Sequence, residues 1–102
     1  MGRKEFFRQI DYQTRLRVLV VTEKGQVTRF LVQLEIIVED DWTPICRYDT
    51  HHGFAHQDIL HPDGRADKIR LVARDFNEAL HMAFADLVTN WERYVEGYLE
   101  KQ

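Results

Sequence analysis

The stretch that decides the fold is Val27–Glu39, which reads VTRFLVQLEIIVE. From Phe30 to Val38 every second residue is apolar, and the residues between them include Gln33 and Glu35. Successive side chains of a β-strand point to opposite faces of its sheet. The alternation therefore predicts one long strand with an apolar face and a polar face.

Shorter strands are predicted on both sides of this stretch. Residues 14–22 alternate in the same way. We interpret residues 23–25 as a three-residue hairpin loop, which places Val18 opposite Phe30. Three further segments have strand composition and are separated by turns: residues 43–49, 54–61 and 65–72, with turns at 40–41, 50–53 and 62–64.

A helical period begins after residue 74. Asp75 followed by Glu78 is a capping pattern for a helix N-terminus. Apolar residues from Phe76 to Leu99 then recur at three- and four-residue intervals. This spacing predicts one amphipathic helix whose apolar stripe is wide enough to cover a sheet.

Together these elements predict an α+β fold in a single domain over residues 1–102. An antiparallel meander of about five strands spans residues 14–72, and one long C-terminal helix over 75–100 packs on one face of it. Residues 1–12 fit either a short helix or an edge strand, and we treat them as an N-terminal docking segment.

Composition narrows the class of protein. The chain has 102 residues, 44% hydrophobic and 30% charged, which is typical of one globular domain. Its net charge of −3 gives no overall attraction to nucleic acid or anionic membranes, although a local basic patch is still compatible with it. No signal peptide or membrane span is apparent. The single Cys46 suits a reducing compartment, so we expect a cytoplasmic protein.

Side chains that could carry chemistry gather in the second half of the predicted sheet, where four of the five histidines lie between His51 and His61. The turn at 62–64 pairs His56 with Arg70, and the turn at 50–53 places Arg47 opposite His56. Cys46 then points inward. We expect a polar cluster on the solvent face of the sheet, beside a turn that carries His51 and His52. Its members are Arg47, Asp49, His56, Asp58, Lys68 and Arg70.

This cluster suits metal-independent acid–base chemistry on a phosphodiester such as RNA. His56 would act as general base or acid. Arg47 and Arg70 would bind phosphate, and Asp49 or Asp58 would orient the histidine. The predicted catalytic residues are His56, Arg47, Asp49 and Asp58, and the predicted substrate-binding residues are Arg70, Lys68, His52 and Tyr48. The alternative for the charged residues is a set of surface ion pairs worth ~0–1 kcal/mol each.

Two other interpretations use parts of the same sequence. The set His51, His52, His56, Asp58 and His61 contains enough ligands for zinc. Its spacing matches no specific metal signature, so we predict neither a metal nor a cofactor. The helix aromatic residues, together with the phenylalanines at positions 6 and 7, could instead pair with a second copy. A homodimer or a non-enzymatic protein-interaction module is therefore the alternative function.

Two resemblances add to these expectations. The run at 44–58, PICRYDTHHGFAHQD, together with Asn90-Trp91-Glu92, resembles a small prokaryotic family of uncharacterised proteins over residues 42 to about 98. More distantly, Arg47-Tyr48-Asp49 with His52 resembles the TumE-type toxins of toxin–antitoxin pairs. The later histidine-rich run of those toxins differs here, where the chain reads HQDILHP at 56–62. This second resemblance implies a toxin-like ribonuclease with an antitoxin-like protein partner.

Overall fold

A computed structural model describes all 102 residues as an antiparallel sheet with one helix packed across it. The α+β class and the meander are confirmed, with six strands in chain order across the sheet. The additional strand is formed by residues 2–11, which the sequence left undecided. The elements are β1 (Gly2–Asp11), β2 (Thr14–Glu23), β3 (Gln26–Val38), β4 (Asp41–Asp49), β5 (His56–Leu60), β6 (Ala66–Arg70) and α1 (Phe76–Leu99).

The core lies between α1 and the middle of the sheet. The apolar face of β3 supplies Phe30, Val32 and Leu34, which are almost completely buried. On α1 the fully buried residues recur every four positions, at Ala79, Ala83 and Leu87. Two alanines on this stripe let the helix backbone approach the sheet closely, because their side chains are short. No helix combines the length and the apolarity that crossing a bilayer requires.

The helix begins where the capping pattern predicted. The backbone N–H of Glu78 donates to Asp75 Oδ1 at 2.9 Å, which satisfies one of the amide groups that a helix N-terminus leaves unpaired. The Glu78 carboxylate accepts in turn from the backbone N–H and the Nε of Arg74. The helix spans Phe76–Leu99, one residue inside the predicted range of 75–100 at each end.

The first hairpin differs from the prediction. Its loop has two residues, Lys24 and Gly25, both with positive φ. The irregularity expected in the loop lies instead in the β2–β3 ladder, between Val21 and Thr22. The three-residue loop was therefore wrong, and Val18 lies opposite Val32 rather than Phe30. The bulge adds one residue to β3, so the apolar side chains still share the core face.

The β4–β5 connection is longer than predicted. A turn of 3₁₀ helix, His51–Gly53, lies within it, and β5 begins only at His56. Asp49 therefore pairs with His56 and Arg47 with Asp58, so the predicted pairing of Arg47 with His56 was wrong by two residues. Because side chains alternate with a period of two, this shift leaves each one on its predicted face. The predicted pairing of His56 with Arg70 across β5 and β6 is confirmed.

Candidate functional site: an arginine cleft and a buried histidine cluster

An open cleft of about 820 Å³ lies on the sheet face that points away from α1. We call it the arginine cleft, because one arginine from each of β1 to β4 lines it. Its wall continues onto the turn of 3₁₀ helix after β4. The ionisable side chains that line it are Arg3, Glu5, Arg17, Arg29, Arg47, Asp49, His51 and His52.

The arginines form two rows across the sheet. Arg17 and Arg47 both pair with Gln33, whereas Arg3 and Arg29 both lie opposite Val21, four residues further along β2. At ~3.3 Å per residue, the rows are roughly 13 Å apart. Positive charge is therefore spread over a distance greater than one phosphate group.

Arg47 is held in the cleft by a chain of three hydrogen bonds, which we call the relay. Arg47 Nε donates to Gln33 Oε1 at 2.7 Å, and Gln33 Nε2 donates to Glu35 Oε2 at 2.6 Å. The other oxygen of Glu35 accepts from Arg15 Nε at 2.7 Å. Gln33 and Glu35 are buried. The relay fixes the plane of the Arg47 guanidinium through one nitrogen and leaves its two Nη groups without an ion pair.

Two aromatic rings stabilise the far end of the relay. The Arg15 guanidinium lies 4.0 Å from the centre of the Phe7 ring and 4.1 Å from that of the Trp42 ring. A cation between two ring faces is attracted by both quadrupoles and is shielded from water. Glu35 therefore has a permanently charged partner in a largely dry environment.

Positive charge in the cleft exceeds negative charge. Glu5 is shared by two arginines, with Arg17 Nη2 at 3.4 Å and Arg3 Nη2 at 3.5 Å. Neither Arg29 nor Arg47 makes an ion pair. Asp49, the second carboxylate of the cleft, already has a histidine partner. Four arginines face two committed carboxylates, so the cleft is suited to an anion.

The turn at the cleft rim presents two histidine side chains to solvent. Asp49 Oδ1 accepts from the backbone N–H of His51 at 3.0 Å and so holds the start of the turn. Thr50 Oγ1 accepts from the backbone N–H of Phe30 and ties the turn to β3. His51 and His52 are exposed, and their ring centres are 4.1 Å apart. Imidazole is a side chain that can accept or donate a proton near neutral pH, and these two are open to solvent.

Behind the cleft lies the His56 cluster, which consists of Asp49, His56, Asp58 and Lys68. His56 Nε2 is 2.8 Å from Asp49 Oδ1 and 3.7 Å from Asp58 Oδ2. Its Nδ1 is 3.2 Å from the carbonyl oxygen of Phe54. Both ring nitrogens therefore face oxygen acceptors.

The polar cluster was predicted to face solvent, and this prediction was wrong for His56 and Asp58 at its centre. His56 is 1% exposed and the Asp58 side chain 10% exposed, because neighbouring groups cover them. The Phe54 ring centre lies 5.3 Å from that of His56, and Arg70 stacks on the outer face of Phe54 at 4.9 Å. His56 is therefore placed to orient Asp49 and does not line the cleft.

The other predicted residues divide between the two faces of the sheet. Lys68 is half exposed and lies 3.1 Å from Asp58 Oδ1, whereas Arg70 lies outside the cleft. Tyr48 lies on the α1 side of the sheet, where its hydroxyl donates to Asp86 Oδ2 at 2.7 Å. Among the eight predicted site residues, Arg47, Asp49 and His52 line the cleft.

The family comparison identifies the chain at the level of a domain. A family model described as "Domain of unknown function (DUF7718)" matches residues 1–102. The chain belongs to the DUF7718 family. No curated protein and no solved structure matches it.

The DUF7718 chain also contains a polar network between sheet and helix that the sequence did not reveal. We call it the Asp86 network. Tyr94 donates to Asp86 Oδ2 at 2.5 Å, and Asn90 Nδ2 donates to Oδ1 at 2.8 Å. Gln57 Nε2 donates to Tyr94 Oη and lies 3.4 Å from the Cys46 sulfur. Its members are Cys46, Tyr48, Gln57, Asp86, Asn90 and Tyr94.

The Asp86 network favours the neutral forms of its cysteine and tyrosine side chains. Burial raises the pKa of the Cys46 thiol to about 11. Burial, followed by the hydrogen bond to Asp86, raises the pKa of Tyr94 to about 12 and that of Tyr48 far above its usual range. Each tyrosine would lose its hydrogen bond to the Asp86 carboxylate on ionising. For Cys46 the main cause is burial, which outweighs the opposite effect of the hydrogen bond from Gln57. The network therefore anchors α1 to the sheet.

Three cleft arginines of this DUF7718 chain were not predicted as site residues. Arg17 and Arg29 carried a usable signal, because they alternate with apolar residues and so belong to the polar face of the sheet. Arg3 carried none, since residues 1–12 could not be assigned to an element.

Proposed function

We propose that this DUF7718 chain binds single-stranded RNA through phosphate contacts in the arginine cleft and cleaves it as a toxin-like, metal-independent ribonuclease. The observation that carries the proposal is Arg47, a half-buried arginine without an ion pair, held in a cationic cleft by the relay. Guanidinium groups form paired hydrogen bonds to phosphate. Two arginine rows roughly 13 Å apart favour a polyanion over a single phosphate.

RNA is favoured over DNA because of the chemistry available at the rim. Base-catalysed attack by a ribose 2′-oxygen forms a new bond to phosphorus and breaks the bond to the 5′-oxygen. One imidazole takes the 2′-hydroxyl proton, and a second gives a proton to the leaving 5′-oxygen. Arg47 stabilises the charge that develops on the phosphoryl oxygens. The products are a 2′,3′-cyclic phosphate and a 5′-hydroxyl.

His51 and His52 support the acid and base roles, since both are exposed beside the cleft. His56, predicted from the sequence as the general base or acid, acts in this scheme as a positioning residue. It holds Asp49, and Asp49 holds the backbone of the rim turn.

Binding is tested with a fluorescent single-stranded RNA in an anisotropy titration. Arg47→Ala is expected to weaken binding at least tenfold, because a hydrogen bond to a charged group contributes ~1.5–3 kcal/mol. It should also lower the slope of log K against log salt by about 0.7 for each lost phosphate contact. Arg74→Ala, which removes an exposed arginine outside the cleft, is the matched control. Equal effects of the two substitutions would reject the cleft as the binding site.

Cleavage is tested on the same RNA by gel electrophoresis. His51→Ala and His52→Ala are expected to retain binding and lose cleavage, whereas His81→Ala on the exposed face of α1 should change neither. An RNA in which 2′-deoxy sugars replace ribose should bind and remain intact. Binding without cleavage by the unmodified chain would overturn the ribonuclease part of the proposal.

A further inference from the structure

The His56 cluster contains a polar atom that its ion pairs leave unsatisfied. Asp58 Oδ1 is buried and accepts no hydrogen bond. Lys68 Nζ lies 3.1 Å from it, but the contact lacks hydrogen-bond geometry and the lysine is half exposed. We regard the pair as an ion pair only. A buried oxygen without a donor is unfavourable, so this carboxylate is suited to a further cationic partner.

Three potential metal ligands converge beside this atom. One oxygen of Asp49, one oxygen of Asp58 and one ring nitrogen of His56 all lie within 4.8 Å of one another. His56 Nε2 lies 2.8 Å from Asp49 Oδ1 and 3.7 Å from Asp58 Oδ2, the second oxygen of the carboxylate whose Oδ1 is unsatisfied. Ligand atoms around a tetrahedral zinc ion, with bonds of ~2.0–2.2 Å, are about 3.3 Å apart. The observed separations lie on either side of this value.

The second nitrogen of His56 faces a typical outer partner of a metal-binding histidine. Histidines that ligate a metal usually donate their other ring N–H to a carbonyl or carboxylate, which fixes the orientation of the ring. Here Nδ1 faces the carbonyl oxygen of Phe54 at 3.2 Å. In that arrangement the nitrogen that points at the two carboxylates is Nε2.

We propose that Asp49, His56 and Asp58 bind one divalent transition-metal ion, zinc in preference to magnesium. An imidazole nitrogen with two carboxylate oxygens suits zinc, whereas magnesium prefers an octahedron of oxygens. Zinc binds a deprotonated Nε2, so any proton on this nitrogen leaves to solvent when the ion binds. The ligands come from β4 and β5, on either side of the rim turn, so the ion would join the two ends of that turn. This inference does not depend on RNA binding.

The test is calorimetric titration of metal-stripped protein with zinc chloride and with magnesium chloride. The unmodified chain is expected to bind one zinc ion, and binding should be at least tenfold weaker in His56→Gln and Asp58→Asn. His61→Gln is the matched control, because His61 also lies 2.8 Å from a carboxylate, that of Asp67, outside the cluster. This control should bind zinc normally. Circular dichroism establishes that each variant is folded.

X-ray absorption spectroscopy of the zinc-loaded, unmodified chain counts the histidine nitrogens bound to zinc. This measurement needs no substituted variant. One histidine nitrogen per zinc ion is expected. Two or more histidine nitrogens, or loss of binding in His51→Gln/His52→Gln with retention in Asp58→Asn, would place zinc at the exposed rim and overturn the proposal. Absence of one-to-one binding would also overturn it. Because RNA anisotropy is measured separately, failure here leaves the proposed function standing.

Discussion

The Asp86 network predicts that the chain loses stability in alkaline solution, with Cys46 as a measurable contributor. The pKa of its thiol is raised from 9.0 to about 11 in the folded chain. Between these values the unfolded chain has lost the thiol proton while the folded chain retains it. The Cys46 contribution to stability therefore falls as pH rises from about 9 to about 11, and this contribution levels off above that. The contribution is fully present below pH 9.

The magnitude follows from the size of the shift. One pKa unit corresponds to 1.36 kcal/mol, so two units give a loss of about 3 kcal/mol from Cys46. The two tyrosines of the network add to the loss above pH 10 in the same direction, because their folded pKa values are also raised. Small domains have unfolding free energies of about 5–15 kcal/mol, so the effect is easily measured.

The assay is urea unfolding followed by circular dichroism of α1 at half-unit steps from pH 8 to pH 11. Cys46→Ala supplies the comparison, since it removes the titrating group from the core. Between pH 9 and 11 the stability of this variant should fall less steeply than that of the unmodified chain. The two slopes should differ by up to 1.36 kcal/mol per pH unit. Any constant loss from the missing sulfur does not affect this slope. Parallel curves for the two chains would refute the assignment of a buried, neutral thiol.

Two further predictions concern packing and assembly. Leu87→Ala should reduce the unfolding free energy by ~2–5 kcal/mol in denaturant titration, because Leu87 is fully buried on the helix stripe. Leu99 is half exposed, so Leu99→Ala should reduce the unfolding free energy much less. The homodimer expected from the sequence stays a prediction. β1 forms one edge of the sheet, which is unpaired. Its residues Phe6 and Phe7 are 44% and 54% exposed to solvent. Sedimentation velocity should show a dimer that Phe6→Glu dissociates, and a monomer at all concentrations would reject it.

The elements predicted most accurately are those that bury one face. β3 and α1 carried periods of two and 3.6 residues, because each has one side against the core. β1 carried no such signal, since an edge strand with both faces exposed has no buried positions to mark its period. The predicted lengths of the β2–β3 and β4–β5 connections were wrong, and in both a non-glycine residue adopts positive φ: Lys24 in the first and His52 in the second. Residue type gives little warning of that conformation.

For the candidate site, the sequence predicted which side chains share a face of the sheet better than it predicted their exposure to solvent. Alternation placed Arg47 and Asp49 on the correct face of the sheet. The error of two residues in the β4–β5 register did not change this face, because side chains alternate with a period of two. The same alternation treated every polar residue as solvated. His56 and Glu35 show why this fails: each is a polar side chain buried with an ion-pair partner on a neighbouring strand. Burial by such partners depends on three-dimensional pairing, which a single sequence does not specify.

The relay has an entropic consequence for whatever ligand the cleft binds. A flexible arginine on a surface must be immobilised when it meets a ligand, at a cost of ~0.5–1.5 kcal/mol for a long side chain. Arg29 is exposed and has no ion pair, so it would incur that cost on association. Arg47 has already lost much of this freedom during folding, through Gln33, Glu35 and Arg15. In the proposed binding of RNA the two cations would therefore differ: Arg47 would offer a rigid template, and Arg29 would adapt to the ligand that this template has oriented.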